Sequence, residues 1–86
     1  MPEISRFFGI IITMYFSDHQ PPHFHVRYGD NKAQVTIEAI SILNGKLPSR
    51  VFGLVAEWAM EHQNELRENW KLIQNETLPN KIDPLE

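Results

Sequence analysis

Cysteine is absent from the 86 residues. That excludes a disulfide framework, a thiolate metal site and a cysteine nucleophile. Any metal site must therefore be built from His, Asp and Glu. The absence also fits a reducing compartment, and a cytoplasmic location is the expectation. Long apolar runs are missing too. The longest, Phe7 to Ile12, is far short of the roughly 20 residues that span a bilayer, so no membrane association is expected. Met1-Pro2-Glu3 lacks the basic start of a secretory signal, and no small-residue cleavage site follows the apolar run. An excess of basic charge is missing as well. Eight Lys and Arg against eleven Asp and Glu give a net charge of −3, which argues against a broad nucleic-acid surface. Glycine-rich phosphate loops, Ser-His-Asp arrangements and zinc-finger spacings are all lacking.

What is present is one domain's worth of chain with an ordinary apolar content of 42%. The charge is unevenly spread. Residues 1–50 carry five basic and four acidic side chains, and residues 51–86 carry three basic and seven acidic ones. The N-terminal half can thus present a mildly positive face inside an acidic protein.

Ile4 to Phe16 is rich in Ile, Phe, Tyr and Met and reads as one long strand. Ser17 to Pro22 is a loop. His23 to Gly29 is a second strand with sharp alternation: Phe24, Val26 and Tyr28 on one face, His23, His25 and Arg27 on the other. Lys32 to Glu38 is a third. A hairpin closing over Asp30-Asn31 pairs His23 with Glu38, His25 with Thr36 and Arg27 with Gln34. The same logic sets Ile12 beside Val26, Thr13 beside His25 and Tyr15 beside His23. Ala39 to Leu43 is a short strand or a bend, and Asn44-Gly45 is a turn signal. A helix starts at Leu47-Pro48-Ser49, and its apolar stripe (Val51, Leu54, Val55, Trp58, Ala59, His62) continues through Leu66, Trp70 and Ile73. An unbroken helix over this length overhangs a small sheet, so a break is expected near His62–Asn64, with Asn64 as the cap. The expected fold is α+β: a three- to four-stranded antiparallel meander followed by one long kinked helix or two helices on its apolar face. Residues 1–75 form the domain, and 76–86, with Leu78, Ile82 and Leu85 as apolar anchors, form an extended tail.

The polar sheet face carries the chemistry. Three of the four histidines fall between Asp18 and Gly29. His23 and His25, two apart on a strand, project together and can ligate one metal, with Asp18, His19 or Glu38 completing the set. The same face supports general acid–base work on RNA, with His23 and His25 as the pair, Arg27 holding phosphate and Glu38 orienting His23. Tyr15, Thr13, Asp18, His19 and Thr36 complete the ligand or partner surface. A plainer reading makes these residues a hydrogen-bonded polar face, with His62, Trp58 and Trp70 serving the core and the Glu57–Glu68 series forming a solvated helix face.

The segments Met1-Pro2-Glu3-Ile4-Ser5-Arg6-Phe7, Pro21-Pro22-His23-Phe24-His25-Val26-Arg27-Tyr28-Gly29, Gly45-Lys46-Leu47-Pro48, Glu57-Trp58, Glu65-Leu66, Asn69-Trp70 and Lys81-Ile82-Asp83-Pro84-Leu85 carry a resemblance. They resemble a family of short prokaryotic proteins of unknown function marked by the Pro-Pro-His-Phe-His-Val segment. Its members are often encoded beside a second small domain in toxin–antitoxin-like pairs. The resemblance implies a small protein partner encoded nearby and supplies no reaction. Its core matches here are Pro21, Pro22, His23, His25 and Trp70. The expectation is a partner-binding component of a two-gene system. A small ribonuclease and a His-based module holding a divalent metal stand as alternatives, and RNA binding and homo-oligomerisation stay open.

Overall fold

The structure is a computed structural model that describes residues 2–86. Met1, which opens the first segment of the family resemblance and the stretch read for a secretory start, lies outside the described residues. Five strands run in chain order as an antiparallel meander: β1 (Glu3–Phe7), β2 (Ile10–Thr13), β3 (His23–Tyr28), β4 (Asn31–Thr36) and β5 (Ile42–Gly45). Two helices follow, α1 (Ser49–Glu61) and α2 (Gln63–Gln74). The α+β class holds, and the sheet has five strands rather than three or four.

The added strand comes from a reversal inside the first apolar stretch, and the short strand expected at Ala39–Leu43 lies instead at Ile42–Gly45. The apolar stretch Ile4–Phe16 folds back on itself instead of forming one strand. Phe8 and Gly9 both take positive φ, +50° and +80°, and the turn pairs Phe7 with Ile10 and Arg6 with Ile11. Two central residues with φ > 0 match the twist of a tight hairpin, and Gly9 takes that geometry without a Cβ penalty. Asn44-Gly45, a turn signal by composition, lies inside β5. Gly45 (φ +85°) sits so close to β4 that a Cβ would fall 2.2 Å from the Lys32 carbonyl oxygen. Glycine is there for close approach between strands.

The β2–β3 register is the expected one, with Ile12 beside Val26 and Thr13 beside His25. The β3–β4 register differs by two residues. The turn falls on Gly29-Asp30, so His23 faces Thr36, His25 faces Gln34 and Arg27 faces Lys32. An even slip leaves every side chain on its own face, so alternation cannot detect it. Gly29 at the first central position with φ +58° decides it, as a two-residue hairpin turn prefers.

Ile10, Ile12, Met14, Phe24, Val26, Val35 and Ile37 form the buried sheet face. Against it pack Val51, Val55, Trp58, Leu66, Trp70 and Ile73 from the helices. Trp58 is fully enclosed between Phe7 (5.5 Å between ring centres) and Phe24 (5.8 Å, edge-on). The helix breaks at His62 (φ −119°), within the expected span. Asn64 does not cap α2; its side-chain oxygen instead accepts from Arg67. Residues 76–86 have no helix or strand, yet Ile82 and Leu85 are buried in the core. The Ile82 N–H donates to the Ile4 carbonyl (2.8 Å), and the Trp58 indole donates to the Asp83 carbonyl (2.8 Å). Asn69, buried in α2, donates to the Asn80 carbonyl and accepts from its N–H. Leu78 is exposed.

Candidate histidine–aspartate centre

The loop between β2 and β3 is hung on the far end of α2. The Ser17 N–H reaches the Ile73 carbonyl (3.5 Å), and the Gln74 side chain donates to the Asp18 carbonyl (3.2 Å). This anchorage swings Asp18 over the start of β3, where the period-2 pleat already holds His23 and His25 side by side. One carboxylate oxygen, Asp18 Oδ2, then lies 2.7 Å from His25 Nε2 and 3.1 Å from His23 Nε2. The other, Oδ1, accepts the His19 backbone N–H (3.0 Å) and lies 3.9 Å from His19 Nε2.

His23 is the fixed member. It has no solvent exposure, and its ring lies between His19 (4.7 Å, stacked) and Trp70 (5.5 Å). Its Nδ1 is 2.8 Å from the Pro21 carbonyl oxygen. A carbonyl only accepts, so Nδ1 carries the hydrogen, and in the neutral ring Nε2 presents a lone pair. That Nε2 is buried and makes no hydrogen bond, although Asp18 Oδ2 is close. Its distance satisfies an ion pair, but its alignment does not satisfy a hydrogen bond. His25 is more open, with about a quarter of its side chain exposed, and Tyr15 packs edge-on against it at 4.5 Å.

Partial burial pushes the Asp18 carboxyl up, but the His25 contact, the His19 N–H and the charges of His23 and His25 outweigh it. The carboxyl is held below its ordinary value. Asp18 is therefore an anion across the physiological range.

Asp18, His23 and His25 each offer one ligand atom, all within 4.8 Å of one another. Ligands about 2.1 Å from an ion and at right angles to each other are about 3 Å apart, a value that lies between the two distances to Asp18. A backbone carbonyl on the second nitrogen of a ligating His is the usual way its tautomer is set. The exposed side of His25 and the neighbouring His19 leave the arrangement open to solvent.

The other expected site residues disperse. Glu38 does not face His23: its carboxylate takes two hydrogen bonds from Arg67 (2.8 Å each), which hold it below the usual carboxylate range. The two-residue register difference moved it past the end of β4. Thr36 lies opposite His23 but bonds to Ser41. Tyr15 packs on His25 rather than His23, whose flank is taken by His19 and Trp70. Thr13 sits opposite His25, nearly buried. Arg27 is one pleat further along, exposed and away from Asp18. Sequence reasoning missed that Gln74 and Trp70 position the centre, since no local pattern links residue 18 to residue 74. His62, at the helix break, contacts Glu65 (2.5 Å) and serves the hinge.

No helix among the described residues is long and apolar enough to cross a membrane. Residues 9–71 match the family described as "Domain of unknown function (DUF4160)", and this span contains every residue of the centre. No curated protein and no solved structure matches the chain.

Proposed function

The chain belongs to this family of unknown function, and we propose that it is a small module binding a divalent transition-metal ion through Asp18, His23 and His25. One observation carries the reading. The buried, unpartnered Nε2 of His23 lies 3.1 Å from the carboxylate oxygen that His25 Nε2 approaches at 2.7 Å. With its hydrogen on Nδ1 and the ring neutral, that nitrogen holds a lone pair close to the carboxylate oxygen, a buried contact that a metal ion ligated by both atoms, or a second ring proton, would relieve. Two imidazoles and one carboxylate suit Zn, Fe, Ni, Cu or Mn better than Ca or Mg. A bound ion would supply a Lewis-acid centre, and the solvent-facing side of His25 would leave room for a further ligand.

Calorimetric titration of the full chain with Zn²⁺, Ni²⁺ and Mn²⁺, after chelation and dialysis, tests this. One ion per chain is expected, with the site abolished in both His23→Ala and His25→Ala. Absence of stoichiometric binding to the folded wild type, or equal binding by both variants, overturns it. The ribonuclease reading loses support because the group assigned to orient His23 is engaged by Arg67.

A partner-binding role in a two-gene system has one observation on its side. β5 is an edge strand, all four of its residues are exposed, and Ile42 and Leu43 are each 40% exposed. An open edge carrying apolar side chains is a template for another strand. Co-expression with the neighbouring gene product should give a stable complex that Leu43→Lys weakens. A neighbour that never co-elutes removes the reading.

A further inference from the structure

We infer that the polar sheet face holds a second site, next to the histidine–aspartate centre, that binds a small phosphate monoester of about mononucleotide size. A basin of about 640 Å³ opens there, between the strand faces of Arg6, Thr13, His25, Arg27, Lys32 and Gln34. That volume lies within the range of pockets that hold small organic ligands, roughly 300–1,000 Å³.

Its charge is opposite to that of the whole chain. Arg6 is paired with Glu3 through two hydrogen bonds, 2.8 and 3.1 Å. Arg27 and Lys32 are different. They are directly opposite each other on β3 and β4, and no carboxylate of the described residues lies within ion-pair distance of either. Like charges placed opposite each other on a sheet repel. In a chain with a net charge of −3, this exposed cationic pair is the feature that an anion would relieve. Two adjacent cations favour an anion of about two charges over a single carboxylate, and a phosphate monoester carries that near neutral pH. Arg27 offers the planar fork that matches phosphate oxygens, and Lys32 a point charge beside it.

Neutral donors and acceptors stand among the rest of the lining, which also holds the Arg6-paired Glu3 carboxylate and the apolar Ile11, Val26 and Ala33. Gln34 and Asn44 come from β4 and β5, and Thr13 from β2. A phosphate group occupies only part of such a volume, so the basin takes the organic part of the ester as well. His25 lines the basin with its ring while its Nε2 points at Asp18, so it is the wall common to both sites. The phosphate site stands on Arg27 and Lys32 and does not depend on a bound metal.

The test uses the full chain with adenosine 5′-monophosphate as probe, in EDTA and again with Zn²⁺, followed by backbone amide NMR shifts. Saturable shifts at Thr13, His25 and Gln34 are expected, with adenosine inert. Arg27→Ala/Lys32→Ala should weaken binding about tenfold or more. High salt should weaken it as well. The same double variant should keep the wild-type melting temperature and metal stoichiometry, so loss of the phosphate site is separable from loss of the metal site. No saturable shift in either buffer overturns the inference. So does unaltered affinity in the double variant, or tighter binding of a 5′-hydroxyl RNA oligonucleotide than of the monophosphate.

Discussion

The two ends of β3 share one strand and one face, yet they are built for opposite purposes. At its start, His23 is fully buried, stacked on His19, backed by Trp70 and tied to the Pro21 carbonyl. Four residues later Arg27 stands exposed, with Ile11 across from it on one side and Lys32 on the other. The pleat is the same at both ends, so it does not cause the difference. What differs is the cover. The loop carrying Asp18 is fastened by Ser17 and Gln74 to the end of α2 and closes over His23, while at the other end a Cβ on Gly29 would meet nothing among the described residues. One end is rigid enough to hold ligand atoms in place. The other is open enough to meet a molecule from solution.

Substitutions should expose that contrast. The largest effect is expected from Trp70→Ala, which removes the backing of His23 and leaves a cavity. It should cost about 3–5 kcal/mol in urea unfolding. If it costs no more than a surface change, the His23 end is not anchored through α2. Next comes Asp18→Ala. It should lower metal affinity at least about a hundredfold by calorimetry, since it removes a ligand and not only its support.

Gly45→Ala probes the open end. The added Cβ would meet the Lys32 carbonyl at 2.2 Å on a backbone with φ +85°, so a loss of about 3 kcal/mol is expected. Melting alone reads this, and an unaltered melting temperature would mean that β5 is not held as close as the structure shows.

Acid should separate the ends more gently. The folded-state value of Asp18 lies below its ordinary 3.8. Its ionisation therefore contributes stability that is present above the ordinary value and is lost as pH falls through the depressed one. In metal-free protein, Asp18→Asn should show a shallower loss of urea midpoint over that acid range than the wild type. Parallel curves would place the acid sensitivity elsewhere. The smallest effect belongs to Arg27→Ala, within about 0.5 kcal/mol of wild type, because relieved repulsion of Lys32 offsets the lost side-chain contacts. A loss of several kcal/mol there would show that the exposed end carries structural weight after all.

Much of the frame was legible from local pattern. Alternation sorted Phe24 and Val26 from His23, His25 and Arg27, and it set Thr13 beside His25. Helical spacing found Trp58, Leu66, Trp70 and Ile73, and the length of the stripe called for the break that occurs at His62. Other features were illegible for identifiable reasons. The Phe8-Gly9 reversal hides in an apolar run because Phe is a poor marker for a positive-φ position. Glu38 was placed opposite His23 because a slip of two residues preserves the faces, and only the Gly29-Asp30 turn distinguishes the registers. The short strand or bend read at Ala39–Leu43 is a strand that runs on through Asn44-Gly45, because that glycine serves close packing instead of a turn.

By itself, then, the sequence determined which side chains of β3 and β4 share a face and where the helical stripe runs, because these follow from periods of 2 and 3.6 within a few residues. It also determined the available metal ligands, since a chain with no cysteine and three histidines between Asp18 and Gly29 has imidazole and carboxylate, and no thiolate, to offer an ion there. The tertiary structure alone decided which carboxylate joins the histidines. Asp18 reaches them because its loop hangs on Ile73 and Gln74, while Glu38 is drawn off by Arg67. Those contacts join residues about 30 to 60 positions apart, and a chain reversal of that length is set by packing of the whole core, which no local pattern encodes.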